Sequence, residues 1–152
     1  MHIEVATEAD VPALTELLTM LFQQEAEFKP NPEAQRRGVL RIITHPDVGI
    51  VLVAKEGSEV LGMVTLLFTI STALGERVAL LEDMVVGHTA RDLGVGSSLM
   101  QEAIVIAKAG GCRRITLLTD QTNLSAQRFY KRQGFEVSTM IPLRLCLASA
   151  QS

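Results

Sequence analysis

Basic residues are in deficit: 14 Lys and Arg stand against 17 Asp and Glu, for a formal charge of −3. No basic stripe is available to neutralise a phosphate backbone, so nucleic acid is not an expected partner. No apolar run approaches the ~18 residues that a membrane span needs. The opening MHIEVATEAD is acidic and alternating, where a secretory leader would be basic and then apolar. The expectation is therefore no membrane association and a cytoplasmic location. Cysteine is scarce: Cys112 and Cys146 are far apart, lack a CxxC spacing and sit in apolar surroundings, which reads as two reduced thiols. His2, His45 and His88 are scattered and no Glu-x-x-His pattern occurs, so no metal site is expected. With only five prolines and no low-complexity tract, long disorder is excluded.

What is present is a globular composition, 47% hydrophobic and 20% charged over 152 residues. That length matches one domain, 1–152, able to bury its own core. His2 to Ala6 alternates as a strand, and Thr7 with Asp10 resembles a capping box opening a helix with Val11, Leu14, Leu17, Leu18 and Leu21 on one face. Asn31 and Pro32 supply the N-cap and first turn of a second helix, which ends near His45 and Pro46. Gly49 to Lys55 and Glu59 to Ile70 read as a hairpin across Glu56, Gly57 and Ser58. A turn at Ala73 to Glu76 leads into a third strand, Arg77 to Val86.

A helix from Gly94 to about Ala109, stopped by Gly110 and Gly111, joins that strand to Arg113 to Thr119. A helical crossover implies that these two strands are parallel neighbours. A short helix, Asn123 to Gln133, follows, and Phe135 to Ser138 with Ile141 to Leu147 is expected to form a final strand pair, broken near Pro142. The fold class is α+β: a mixed, mainly antiparallel sheet of six to seven strands, with about four helices on both faces.

The residues RDLGVG, Arg91 to Gly96, precede the third helix. A helix start carries unpaired N–H groups and partial positive charge, and so accepts a phosphate. Gly94 and Gly96 permit close approach of a ligand to the backbone. Val95, Leu99, Ala103 and Ile106 form an apolar stripe that would hold the turn against the sheet. The same G-x-G pattern also arises from plain helix–strand packing. It is not a Rossmann fingerprint, because Leu99 stands where the third glycine belongs, and not a P-loop, because no Gly-Lys-Ser/Thr follows.

In combination, the strand LLEDMVV, the loop RDLGVG, a helix, a strand and then NLSAQRFYKRQGF resemble the GNAT superfamily of acetyl-coenzyme A-dependent N-acetyltransferases. Arg91-x-x-Gly94-x-Gly96 is similar to that family's pyrophosphate loop. Asn123, Ala126, Tyr130, Gly134 and Phe135 match its following motif in identity and spacing. The resemblance covers the core from about Gly49 to Phe135. It departs at Asp92, where the family commonly has glycine; a carboxylate there must point to solvent or pair with a base such as Arg91.

The resemblance implies an acyltransferase whose co-substrate is acetyl-coenzyme A. Its expected contacts are Met84, Val85, Val86, Arg91, Asp92, Leu93, Gly94, Val95, Gly96, Ser97, Asn123, Ala126, Phe129 and Tyr130. A backbone N–H near Met84 to Val86 is expected to meet the developing oxyanion. Tyr130 falls where the family's general acid sits, although from its sequence position alone it also reads as a ring packed with Phe129 and Phe135. Asn123 likewise reads as a helix N-cap, and Lys131 and Arg132 as a solvated face.

A primary amine with a pKa near ~10.4 must lose a proton before it attacks, so a base is sought. Glu82 and Asp83 are the candidates; neighbours on a strand face opposite sides of a sheet, so only one faces the cleft. Glu82 shares its face with Leu80 and Met84, and His88 is a weaker candidate. The expected acceptor is a primary amine on a small molecule, in a pocket shaped by Gln23 to Gln35, Phe68 to Arg77 and the C-terminal hairpin. A faint resemblance to aminoalkylphosphonate acetyltransferases runs along the central strands, without a dedicated phosphonate motif. Acetylation of a protein N-terminus or lysine, and a non-catalytic acyl-coenzyme A-binding module, are the other readings. A homodimer is expected from the family and from the need to cover sheet edges.

Overall fold

Runs of β-branched and apolar residues become strands β1 (His2–Val5), β2 (Gly49–Glu56), β3 (Glu59–Ser71), β4 (Glu76–Val86) and β5 (Ile115–Leu117). They lie in that order in one sheet, the first four antiparallel and β5 parallel to β4. The helices are α1 (Val11–Gln24), α2 (Pro32–Ile43), α3 (Val95–Ala109) and α4 (Leu124–Arg132). The computed structural model describes residues 1–25 and 29–148. The chain divides into two compact units, Met1–Asp120, which holds the sheet and α1 to α3, and the residues from Gln121 onward, which hold α4.

In the first unit the pleat sends alternate residues to opposite faces. Val51, Val53, Met63 and Val85 are buried with Leu14, Leu17, Leu18 and Val39 of α1 and α2. On the other face α3 lies so close that a Cβ at Gly62 would sit 2.9 Å from the Val85 carbonyl oxygen, 3.2 Å from Val95 Cγ1 and 3.3 Å from Leu99 Cδ1. Glycine at position 62 is thus what lets the first turns of α3 seat on the sheet. Val95, Leu99 and Ala103 of the expected stripe are buried, together with Met100 and Ala107.

The caps follow the sequence signals. The Asn31 side chain accepts from the Ala34 N–H at 3.2 Å, with Pro32 in the first turn of α2. Gln35, buried on α2, donates from Nε2 to the Thr15 carbonyl (3.1 Å) and Thr19 Oγ1 (2.9 Å), which ties α2 to α1. Asp10, 6% exposed, accepts from the Thr7 N–H at 2.8 Å.

Lys55 Nζ on β2 lies 2.8 Å from Asp10 Oδ1 and 2.9 Å from Glu4 Oε1. Burial pushes the Asp10 carboxyl up, but the Lys55 ammonium and the Thr7 backbone outweigh it and hold the carboxyl below its usual 3.8. A carboxyl held low in the native state contributes stability above pH ~3.8, lost as pH falls through the lower native value. Lys55→Met is therefore expected to lower the urea midpoint at pH 7 and flatten its fall below pH ~4, because Asp10 loses its partner. Urea titrations of both proteins at pH 7 and pH 3 test this; equal midpoints at pH 7 would show the pair to be idle.

The strands require two corrections. Five form among the described residues, not six to seven, because Phe135–Ser138 and Ile141–Leu147 enter no ladder. Ile141, Leu143, Leu145 and Leu147 alternate as a strand would, yet stand exposed, Leu143 at 90% and Leu147 at 92%. Alternation becomes a strand only where a neighbour completes the hydrogen bonds, and Pro142 brings no N–H to one. The crossover strand is also shorter than Arg113 to Thr119, since its ladder covers only Ile115 to Leu117.

Candidate active site

The region around Asp83 departs from regular strand geometry. Thr65 of β3 pairs with Glu82 and Met63 with Val85, so Val64 alone faces both Asp83 and Met84 across a β-bulge. Asp83 takes the left-handed φ of 55° that absorbs the extra residue. Strict alternation fails here because Thr65 and Met63, two residues apart, face Glu82 and Val85, three apart; Glu82 is exposed and Asp83 half-buried. The bulge, and not alternation alone, sets where the second of the two carboxylates points.

Burial, and then the adjacent Glu82 charge, push the Asp83 carboxyl from 3.8 up to about 6, with Glu25 adding in the same direction. The Thr65 hydroxyl opposes the rise from close by. That hydroxyl is buried, in a residue 1% exposed, and completes no hydrogen bond of ordinary geometry. A carboxyl poised near neutrality, in a partly shielded position, can exchange a proton with an amine. Thr65 and Glu25 carried no signal in the sequence: a threonine in a strand reads as a β-former, and a glutamate after a helix as surface.

Beyond Leu81, the outer edge of β4 has no ladder partner among the described residues. The β5 ladder pairs Ala79, Leu80 and Leu81 with Ile115, Thr116 and Leu117 and then stops, while β4 runs on to Val86. Met84, Val85 and Val86 lie on this open stretch, Val85 with its side chain in the core. A strand edge with free register can take an extended ligand by backbone pairing.

The loop after β4 contains a short 3-10 turn, His88–Ala90, and then the glycine turn. Arg91, Asp92, Leu93, Gly94 and Ser97 are exposed, Gly96 is half-buried and Val95 is buried. Leu93 is 69% exposed, which leaves it free to cover a ligand. Gly94 is the N-cap of α3, with φ 78° and ψ 11°, and no side chain caps the helix start. A Cβ added at Gly94 would meet nothing within 4 Å, so the turn faces open space. Left-handed backbone, an uncapped 15-residue helix and open space before it are what a phosphate needs. Asp92 is exposed with φ 64°, a conformation aspartate tolerates, and its outward placement keeps the carboxylate compatible with an anion at the turn.

In the second unit, the Asn123 side chain caps α4 by accepting from the Ala126 N–H at 3.0 Å. Phe129 and Tyr130 are half-buried, their rings edge-on at 5.3 Å, and Tyr130 meets Phe135 edge-on at 5.9 Å. Gly134, at φ 104°, turns the chain so that the Phe135 N–H reaches the Tyr130 carbonyl at 3.1 Å. Both readings of the aromatic cluster begin from the same fact: packing fixes the Tyr130 ring.

Of the segments expected to shape an acceptor pocket, Gln23 to Gln35 includes residues 26–28, which lie outside the described residues. Phe68 to Arg77 forms the far end of the β3–β4 hairpin, where the Arg77 guanidinium lies 4.2 Å over the Phe68 ring. Among the described residues no His, Cys, Asp and Glu group could hold a metal ion, and no helix is long and apolar enough to cross a membrane.

The profile of the Acetyltransferase (GNAT) family matches residues 11–135, from the start of α1 through the aromatic motif. The chain belongs to this family. As a GNAT acetyltransferase it is an acyltransferase enzyme, and relatives agree across its length. A Bacillus subtilis (strain 168) protein described as the uncharacterized N-acetyltransferase YhfO is 30% identical over 91% of this chain and 92% of its own. The aminoalkylphosphonate N-acetyltransferase of Salmonella typhimurium is 27% identical over 88% of this chain and 83% of its own. A crystal structure described as that of a transcriptional regulator from Bacillus halodurans C-125 superposes with a TM-score of 0.81 at 31% identity, covering 96% of this chain and 99% of that one.

Proposed function

We propose that this acetyltransferase moves the acetyl group of acetyl-coenzyme A to a primary amine of a small molecule, as one functional domain located in the cytoplasm. The observation that carries the reading is the start of α3: Gly94 is left-handed, faces open space and leaves the helix without a side-chain cap. Arg91 to Ser97 would cradle the pyrophosphate, with Arg91 adding a positive charge. The β4 edge from Met84 to Val86 would pair with the pantetheine, and one of its N–H groups would steady the carbonyl oxygen. Asn123, Ala126, Phe129 and Tyr130 are carried over from the family motif as further contacts.

Acetyl-coenzyme A supplies an activated acetyl thioester. Asp83, with Glu82 beside it, takes the proton from the acceptor ammonium. The nitrogen then bonds to the acetyl carbon as the carbon–sulfur bond breaks. Tyr130 gives its phenolic proton to the departing sulfur, the nitrogen sheds its second proton to become the amide, that proton reaches the Tyr130 phenolate through solvent, and the proton on Asp83 returns to solvent. Support for Asp83 in this role is its shielded carboxyl near pH 6; support for Tyr130 is its place in the motif.

Release of free thiol from acetyl-coenzyme A over an amine panel tests the reading. Tight binding of acetyl-coenzyme A without turnover on any amine or peptide would favour an acyl-coenzyme A-binding module instead. Gly94→Val is expected to weaken acetyl-coenzyme A binding by about 10- to 100-fold. A β-branched residue at φ 78° costs on the order of 1–3 kcal/mol, and its side chain enters the ligand's space. Calorimetry checks this beside Gly94→Ala, which should be milder; wild-type affinity in Gly94→Val would end the cradle assignment.

A homodimer is part of the same proposal, supported by the exposed apolar run at Ile141, Leu143, Leu145 and Leu147. Light scattering should give twice the chain mass, and Leu145→Asp should shift it toward the monomer. A wild-type monomer at tens of micromolar would discard it.

A further inference from the structure

We infer that Asp92 works against the cofactor: its carboxylate is a fixed repulsive charge beside the pyrophosphate turn, and it sets how loosely acetyl-coenzyme A and the product coenzyme A are held. The inference rests on the proposed acetyl-coenzyme A reading and adds to it the control of cofactor retention at that same turn.

Asp92 takes φ 64°, a left-handed backbone that glycine adopts at less cost, two residues before the left-handed Gly94. The residue is exposed, and its side chain enters no hydrogen bond or ion pair among the described residues. Arg91 beside it carries the opposite charge, yet the two do not pair. No described contact holds the carboxylate, so its main effect is exerted through space on what lies next to it.

Two residues of chain span at most about 7 Å, which bounds the distance between the Asp92 and Gly94 backbones. A pyrophosphate on the first amides of α3 would therefore lie well inside the ~30 Å over which charges act in 10 mM salt, though not inside the ~3 Å of molar salt. The outward placement of Asp92 leaves those amides clear, so the carboxylate does not block the turn. It repels the ligand instead, and it partly neutralises the positive end of α3 before any ligand arrives.

The pyrophosphate is the same in substrate and product and is remote from the carbon–sulfur bond that breaks. Repulsion there weakens the ground state and the transition state alike. It raises KM for the donor and the inhibition constant of coenzyme A by one common factor, and leaves the chemical step alone. Asp92 thereby limits inhibition by the product.

The test is calorimetry of coenzyme A binding to the full-length wild type, Asp92→Asn and Asp92→Gly, in about 10 mM and about 1 M salt. Asparagine tolerates left-handed φ and removes only the charge, whereas glycine removes the charge and the backbone cost together. Asp92→Asn is expected to bind coenzyme A on the order of 3- to 10-fold more tightly in dilute salt, with the gap closing to within about twofold in molar salt. In thiol-release kinetics the same substitution should lower KM for acetyl-coenzyme A and the inhibition constant of coenzyme A together, with kcat unchanged. Equal affinities of wild type and Asp92→Asn in dilute salt overturn the inference. So does a gap that survives molar salt, or tightening by glycine alone, which would make the backbone and not the charge the cause. Binding of coenzyme A to none of the three proteins would defeat the acetyl-coenzyme A reading, and the inference with it.

Discussion

Tyr130→Phe is expected to lower kcat by about 10²-fold, the smaller end of what a positioned acid contributes, with little change in KM for acetyl-coenzyme A. The ring's edge-on contacts to Phe129 and Phe135 do not use the hydroxyl, so phenylalanine keeps the packing. A phenol near ~10 and a thiol near ~8.5 differ by about 2 kcal/mol, within reach of proton transfer as the carbon–sulfur bond breaks. Without the hydroxyl, the thiolate must leave as an anion or wait for water. Steady-state kinetics across pH 6 to 10 separate the possibilities. An unchanged kcat would mean that the ring only packs, and a raised KM alone would make it a binding residue.

Asp83→Asn should move stability and activity in opposite directions. Asparagine tolerates left-handed φ as aspartate does, so the bulge survives the change. The native carboxyl, raised from 3.8 to about 6, is penalised when ionised. That difference corresponds to about 3 kcal/mol, present above pH ~6 and fading as pH falls toward 3.8, because the native state then holds a proton that the unfolded chain has released. At pH 8 the variant is therefore expected to be about 2–3 kcal/mol more stable than the wild type, converging on it near pH 4. Its kcat/KM should fall by about 10² or more if Asp83 is the base. A variant no more stable at pH 8 would show the carboxyl to be well solvated. Full activity would pass the role to Glu82 or to water.

The parts legible in the sequence are those governed by local rules. Asn31 with Pro32, Asn123 before α4 and the start of α3 at Gly94 are each decided by a few neighbouring residues, and each stands where the pattern put it. The antiparallel hairpins and the parallel β4–β5 pair followed from turn chemistry and a helical crossover. Contacts between distant residues were not legible. The bulge at Asp83 depends on how β3 registers against β4, and alternation along β4 alone predicts a regular strand. Glu25 and Thr65 matter only because α1 and β3 bring them to Asp83. Likewise Ile141 to Leu147 has the pattern of a strand, but pattern cannot supply a neighbour.

The brevity of β5 has a consequence for measurement. Three residues secure the outer edge of β4 and nothing beyond Leu81 does so in this unit. Amide protons on that edge between Glu82 and Val86 should trade with solvent deuterium much faster than those of β2 and β3, which lie between two strands each. A ligand lying along β4 would slow the same few amides, so its footprint could be read by mass without any turnover, before a single acceptor is known.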